Sequence, residues 1–374
     1  MIARNKLFIL PTDRCGLNCA FCSYAESRKE HSFPEIDINK GYAKKSINSL
    51  INGAQAVVFS GGGEPLLNMN MLKETMNMEE NKRFIITTGI GKSLEKLEED
   101  FETINSICKV KNSTCAIRIS LDHFHADQIN YEEKLSKIIK WFADNKWDAC
   151  NRCFFRTTFV DKEFVNNVLN TIAEKENWEY KLIDESAIVT KAMINGKEFR
   201  IVMRPTINPE KFKVTDMYNL KEYLDVMDSL NRNSKFYLGK PQGCRVCRGC
   251  FGKGDNGQCD LMDDLDVTIT AKGDVYLYGA ELSVLGNIYE EHVTFELIKE
   301  RMKLVPEYEI LQKYTIREVI EKLLQNEKIG PLVEKVNYPY AIMRNLLKEH
   351  EEELKMVLNQ LNNEKINKKS NEIV

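Results

Sequence analysis

The sequence has no run of about 18 apolar residues, so it predicts no membrane span. Its start lacks the order of a secretory signal: the basic opening is followed by a short apolar run, Leu7–Leu10, and then by Asp13 and Arg14. Neither sign of charge is in large excess, since 53 Lys and Arg stand against 56 Asp and Glu for a formal net charge of −3. That balance gives no reason to expect nucleic acid as the main partner. Internal repeats and low-complexity linkers are absent too, so nothing marks the chain as a repeat array or as modules on a flexible tether.

What is present is ordinary for a soluble globular protein. Hydrophobic residues make up 43% and charged residues 29% of 374 residues, a length that suits one large domain or two smaller ones. Eleven cysteines without a secretion signal favour metal ligands and free thiols in a reducing compartment. The expected location is the cytoplasm.

Three of those cysteines fall on one short stretch, Cys15-Gly-Leu-Asn-Cys19-Ala-Phe-Cys22, just after the apolar run Leu7–Leu10. Three thiolates on one loop can hold three irons of a [4Fe–4S] cube and leave the fourth iron without a protein ligand. A tetrahedral zinc site would need a fourth ligand. A set of cytosolic disulfides is disfavoured with three cysteines this close.

Along the chain, apolar runs and amphipathic stretches alternate. Residues 6–11, 54–59, 83–88, 116–121 and 153–160 read as strands. Residues 40–52, 70–80, 93–107, 131–144 and 162–176 read as helices. This alternation implies a parallel sheet with crossover helices. It loosens after about residue 178, where 180–183, 187–192 and 198–205 are strand-like and Asn195-Gly196 signals a hairpin. Residues 217–230 read as a further helix, and 265–270 with 275–278 as a short β pattern meeting at Lys272-Gly273-Asp274. From 294 onward the chain is helical and charged, with one apolar stripe through Leu347, Leu354, Leu358 and Leu361.

The C-x3-C-x2-C spacing, with Phe21 before the last cysteine, resembles the radical S-adenosylmethionine (SAM) superfamily. The resemblance spans roughly residues 5–205. It implies an α/β fold, a partial (β/α)6 barrel whose reaction sits at the C-terminal ends of the strands, with Cys15, Cys19 and Cys22 holding the catalytic [4Fe–4S] cluster. Ser60-Gly61-Gly62-Gly63-Glu64-Pro65 follows the second strand and is similar to the family's GGEP motif, whose backbone and acidic residue meet the amino group of SAM. Glycines let the main chain approach a ligand, and a carboxylate can accept from an ammonium. Taken alone, three glycines after a strand also make a tight turn. Ser120 and Asp122, at the end of the strand 116–121, stand where the family contacts the ribose or carboxylate of SAM, or else form a strand-end turn. Phe21 joins them as an expected SAM neighbour. His123 and His125 follow at once. They either face the substrate or cap a turn, and the sequence identifies no carboxylate or metal partner for them.

A second constellation is Cys244-x2-Cys247-x2-Cys250-x8-Cys259. Its first three members share the spacing of ferredoxin cluster loops, and all four could equally build a zinc knuckle. With Gly273–Tyr278 and Leu285-Gly286-Asn287-Ile288, the segment resembles the SPASM/twitch extension of radical SAM enzymes. Tyr278 stands where that family has a cysteine, and no cysteine follows Cys259, so at most one auxiliary [4Fe–4S] cluster is expected. Four thiolate ligands and an electron-transfer role are the favoured arrangement. Cys150-x2-Cys153 is a conceivable redox dithiol, but buried free thiols are the default for Cys108, Cys115, Cys150 and Cys153.

These readings divide the chain into 1–235, a radical SAM barrel; 236–293, a twitch-like segment; and 294–374, a C-terminal helical region. The resemblance implies reductive cleavage of SAM to a 5′-deoxyadenosyl radical, which removes a hydrogen atom from substrate, with electrons from a donor such as flavodoxin or ferredoxin. The expected substrate is a ribosomally made peptide, modified by crosslink, thioether or epimerisation. The chain starts directly at the barrel, so a separate recognition protein or the helical C-terminus would hold the leader peptide. The alternative is oxidation or rearrangement of a small molecule such as a sugar alcohol or nucleotide. A further alternative is a non-catalytic metal-binding protein, against which the Gly61–Glu64 loop argues.

Overall fold

A computed structural model describes residues 5–17, 19, 22, 33–126, 130–144, 153–158, 161–185, 189–204, 225, 265–278, 282–308, 316–334 and 350–371. Short apolar strands alternate with amphipathic helices from the start: β1 (Lys6–Ile9), α1 (Ala43–Gly53), β2 (Ala56–Phe59), a 3-10 turn (Pro65–Asn68), α2 (Met69–Met76), β3 (Arg83–Thr88), α3 (Leu94–Val110) and β4 (Thr114–Ser120). Then come α4 (His123–Ala126), α5 (Tyr131–Ala143), β5 (Cys153–Thr158) and α6 (Lys162–Glu176). The strands β6 (Tyr180–Glu185), β7 (Val189–Ile194) and β8 (Lys197–Arg204) follow as a ribbon.

Neighbouring strands in the order β1-β2-β3-β4-β5-β8 are parallel, so the sequence-level expectation of a parallel sheet with crossover helices holds. β8 reaches β5 after an antiparallel detour through β6 and β7, and the turn between β7 and β8 is Asn195-Gly196. Both turn residues have positive φ, 47° and 74°, which is why this pair makes a tight hairpin.

Strand alternation decides what the sheet buries. On one face Leu7, Ile9, Val57, Phe59, Phe84, Ile86, Ile117, Ile119 and Phe155 are all 0% exposed. Helix α3 packs on β4, and α6 on β5. They present Leu97, Phe101 and Ile104 from α3 and Val165, Leu169 and Ile172 from α6, all buried. Each such side chain contributes about 2 kcal/mol by leaving water. On the opposite face Phe8, Ile85, Thr87, Arg118, Ser120, Phe154 and Arg156 are half-buried. Cys108, Cys115 and Cys153 are buried thiols outside any disulfide, whereas Cys150 lies outside the described residues.

Contacts divide the chain into two compact units. The first holds Met1–Pro205 together with Thr268–Val275 and Asn287–Thr294. Within it the Ile269 carbonyl accepts from Leu10 N–H at 2.9 Å, which continues the sheet beyond β1. Asn287 pins the turn at Gly273-Asp274 by donating to Asp274 Oδ1 at 2.8 Å, and Ile288 N–H donates to Gly273 O at 2.9 Å. The second unit contains the helices α7 (Phe295–Lys303), α8 (Ile316–Leu324), α9 (Gly330–Val333) and α10 (Glu351–Asn371). On α10 the expected stripe is present as buried Leu354, Leu358 and Leu361, joined by Val357, and α10 packs on α8. Leu347 and most of 217–230 lie outside the described residues. Among the described residues no helix is long and apolar enough to cross a membrane.

Candidate functional site

Parallel strands deliver their C-terminal loops to one edge, and here the loops after β1 to β5 carry the polar residues. The loop after β1 runs through Cys15, Cys19 and Cys22. Cys15 and Cys22 are half-buried and Cys19 is buried. Cys22 N–H donates to Cys19 O at 3.1 Å, so the second and third cysteines share a turn.

The glycine loop after β2 is laid directly on this segment. Gly63 N–H donates to Thr12 O at 2.8 Å and Glu64 N–H to Arg14 O at 2.7 Å. A Cβ on Gly63 would collide with the Arg14 carbonyl, so only glycine allows this approach. Gly62 has φ of 70°, a second reason for glycine. The Gly61–Glu64 stretch is thus a loop moulded to the cysteine segment.

Glu64 then ties that loop to the one after β3. It is 2% exposed. Its Oε2 accepts from Thr88 Oγ1 at 3.0 Å, from Gly89 N–H at 3.0 Å and from Gly91 N–H at 3.3 Å, while Oε1 accepts from Leu66 N–H at 3.3 Å. Burial raises the Glu64 carboxyl above its ordinary pKa, and these four hydrogen bonds pull it back. The carboxylate expected to meet SAM therefore spends its acceptor positions inside the chain. The clamped loop is strained: Ile90, between the two glycine donors, has φ of 62°, a left-handed value that β-branched residues avoid.

At the end of β4, Asp122 is buried and turned inward. Its Oδ1 accepts from His125 N–H at 3.0 Å, and His125 Nδ1 lies 2.8 Å from Oδ1 and 2.9 Å from Oδ2. His125 also sits against Gly89 and interacts with the Cys19 thiol. Burial works to lower its pKa, but the Asp122 charge and hydrogen bond, with a contribution from Cys19, carry it up to about 10. The half-buried Ser120 gives its carbonyl to the hydroxyl of Tyr131, whose pKa burial drives well above the ordinary value. Cys19, the loop after β3, Asp122, His125 and Tyr131 thus form one continuous cluster.

His123 makes a separate pair. Its Nδ1 is 2.6 Å from Asp161 Oδ1, beyond β5. The sequence identified no partner for either histidine, yet each has a carboxylate on Nδ1. For His125 the signal was local, since Asp122 precedes it by three residues. For His123 the partner is 38 residues away, which no spacing rule reaches.

The chemistry of the donor set can be tested against the expected groups. Among the described residues no three of His, Cys, Asp and Glu stand close enough to hold one metal ion. That does not decide on a cube, because each thiolate of a cube binds a different iron and the sulfurs need not converge on one point. Phe21 and the second cysteine group, Cys244, Cys247, Cys250 and Cys259, lie outside the described residues. Tyr278, at the position where the resemblance expects a cysteine, donates its N–H to Asp266 O at 2.8 Å. No family model matches this sequence, and no curated protein matches it either.

Proposed function

We propose that this chain is a radical SAM enzyme built on a partial (β/α)6 barrel, with Cys15, Cys19 and Cys22 as ligands of a [4Fe–4S] cluster. The observation that carries the reading is the junction of the cysteine loop and the glycine loop by the hydrogen bonds from Gly63 to Thr12 and from Glu64 to Arg14. A structural metal loop has no need of a glycine strip moulded against it, whereas a small-molecule pocket beside an open iron does. The parallel order β1-β2-β3-β4-β5-β8 supports the barrel.

When bound, the cluster and SAM would supply one-electron cleavage of the sulfonium and abstraction of a hydrogen atom from substrate. The chain's own residues do the holding. Gly61, Gly62 and Gly63 offer main-chain polar groups to the amino group of SAM. Glu64 fixes their loop and the one after β3. Ser120 and Asp122 close the pocket from β4, where Asp122 holds His125 beside Cys19. The four cysteines between 244 and 259 are assigned to one auxiliary [4Fe–4S] cluster. A ribosomally synthesised peptide is the substrate the sequence resemblance favours.

Anaerobic reconstitution tests this. About four irons are expected at the first site and about eight per chain if the auxiliary cluster forms. Replacing Cys15, Cys19 and Cys22 by alanine should remove about four of them. Reductant with SAM should release 5′-deoxyadenosine slowly even without substrate. A reconstituted chain that binds no iron at the first loop, or releases no 5′-deoxyadenosine, would refute the assignment.

A further inference from the structure

Two His–Asp pairs stand at the same edge of the sheet, and they differ in what they leave open. In the pair of His125 with Asp122 both side chains are buried, at 11% and 6% exposed, and the ring abuts Gly89 and Cys19. In the pair of His123 with Asp161 the carboxylate is sealed, at 4% exposed, but the imidazole is 31% exposed.

Asp161 occupies the position before α6 where an aspartate ordinarily caps its own helix, yet its side chain makes no cap hydrogen bond. The carboxylate is turned away instead. Oδ1 faces His123 Nδ1 at 2.6 Å and Oδ2 accepts from Thr158 Oγ1 at 2.6 Å. Forgoing a cap leaves the first-turn N–H groups of α6 without that acceptor. An ionised carboxylate only accepts hydrogen bonds, so the ring hydrogen sits on Nδ1. In the neutral ring Nε2 is then the bare nitrogen, on the side of the ring away from Asp161. A carboxylate in this position fixes the tautomer and orients the ring.

We propose that His123, held by Asp161 and Thr158, is a proton acceptor of the site, acting through Nε2 on an ionisable X–H group of the substrate: a hydroxyl, a thiol or a protonated amine. The X–H bond breaks, its electron pair stays on X, and the proton passes to Nε2. His123 becomes an imidazolium facing the Asp161 carboxylate. This places a base at the start of the helix after β4, which also carries His125 beside Cys19, and it rests on the radical SAM reading for its substrate.

The test uses the purified full-length chain as isolated. Nitrogen-15 NMR of the histidine rings should show His123 as the Nδ1–H tautomer when neutral. Diethyl pyrocarbonate, which acylates bare imidazole nitrogen, should label His123 before His125, as read by mass spectrometry. At a pH where the ring is neutral in both chains, Asp161→Asn should slow labelling of His123 roughly tenfold or more, because the amide can donate to Nδ1 and leave the ring hydrogen on Nε2. Thr158→Ser, which keeps the hydroxyl, should label like the parent. An Nε2–H tautomer in the parent chain, or a His123 that resists the reagent, would show that the pair merely ties α4 to α6 and overturn the proposal. Neither measurement needs iron. Failure to assemble a cluster would sink the radical SAM reading and leave the dyad standing, whereas an unreactive His123 would do the reverse.

Discussion

From β1 to β5 every strand runs the same way, so every loop leaving a C-terminal end reaches the same edge. From β8 to β6 the strands alternate in direction, and their connections go to opposite edges. The two regions bury apolar side chains in the same manner, with Phe155 on β5 stacked on Phe199 of β8 at 5.7 Å between ring centroids. They handle polar groups differently. In the parallel region Glu64, Asp122 and Asp161 are buried and each accepts several hydrogen bonds. In the ribbon Lys191, Glu198 and Arg200 stand on the strands themselves and meet at 3.7 Å in partly exposed pairs. Chemistry can be assembled where loops converge, and a ribbon whose loops diverge is left with surface charge.

The largest expected effect in this contrast is at Glu64. Glu64→Ala leaves Thr88 Oγ1 and the N–H groups of Leu66, Gly89 and Gly91 without their acceptor in a buried place. A loss of about 4 kcal/mol in urea unfolding is expected, since each of the four buried donors left unmade costs about 1 kcal/mol or more. Glu64→Gln, which keeps one carbonyl oxygen, should lose less. An alanine variant as stable as the parent would mean the carboxylate does not hold this edge together, and the contrast with the ribbon would fail.

A middle effect belongs to the hairpin turn. Gly196 has φ of 74° with nothing near the position its Cβ would take. Gly196→Ala therefore meets no clash and is penalised only by the left-handed backbone, at about 1 kcal/mol. Thermal unfolding measures it. A larger loss would show that the ribbon is as tightly determined as the parallel edge.

How much of this was legible follows the range of each interaction. Local patterns were readable: the helices over 43–53 and 162–176, the strands before each loop, and the Asn195-Gly196 turn all sit near where periodicity and turn chemistry put them. The candidate residues of the cysteine and glycine loops were visible as motifs. Their partners were not. That β8 would skip two strands to pair with β5, that Glu64 would serve the loop after β3, and that Asp161 would forgo capping for His123 depend on register across the sheet. A single chain carries no local signal for that register.

The smallest effect should come from the ribbon's charges. Glu198 is 42% exposed and faces Lys191, at 33%, and Arg200, at 47%, each at 3.7 Å. These are longer than charge-assisted hydrogen bonds, water reaches all three groups, and holding the long side chains in place costs entropy. Glu198→Gln should change stability by less than about 0.5 kcal/mol, and added salt should erase what difference there is. Asp161→Asn replaces one carboxylate oxygen just as conservatively, but in a sealed site where two donors depend on it. Unfolding both variants at low and high salt sharpens the comparison to a single variable, solvent access. Equal losses in the two, or a salt-sensitive loss at Asp161, would mean that the parallel edge is as open to water as the ribbon and that its carboxylates are not held for chemistry.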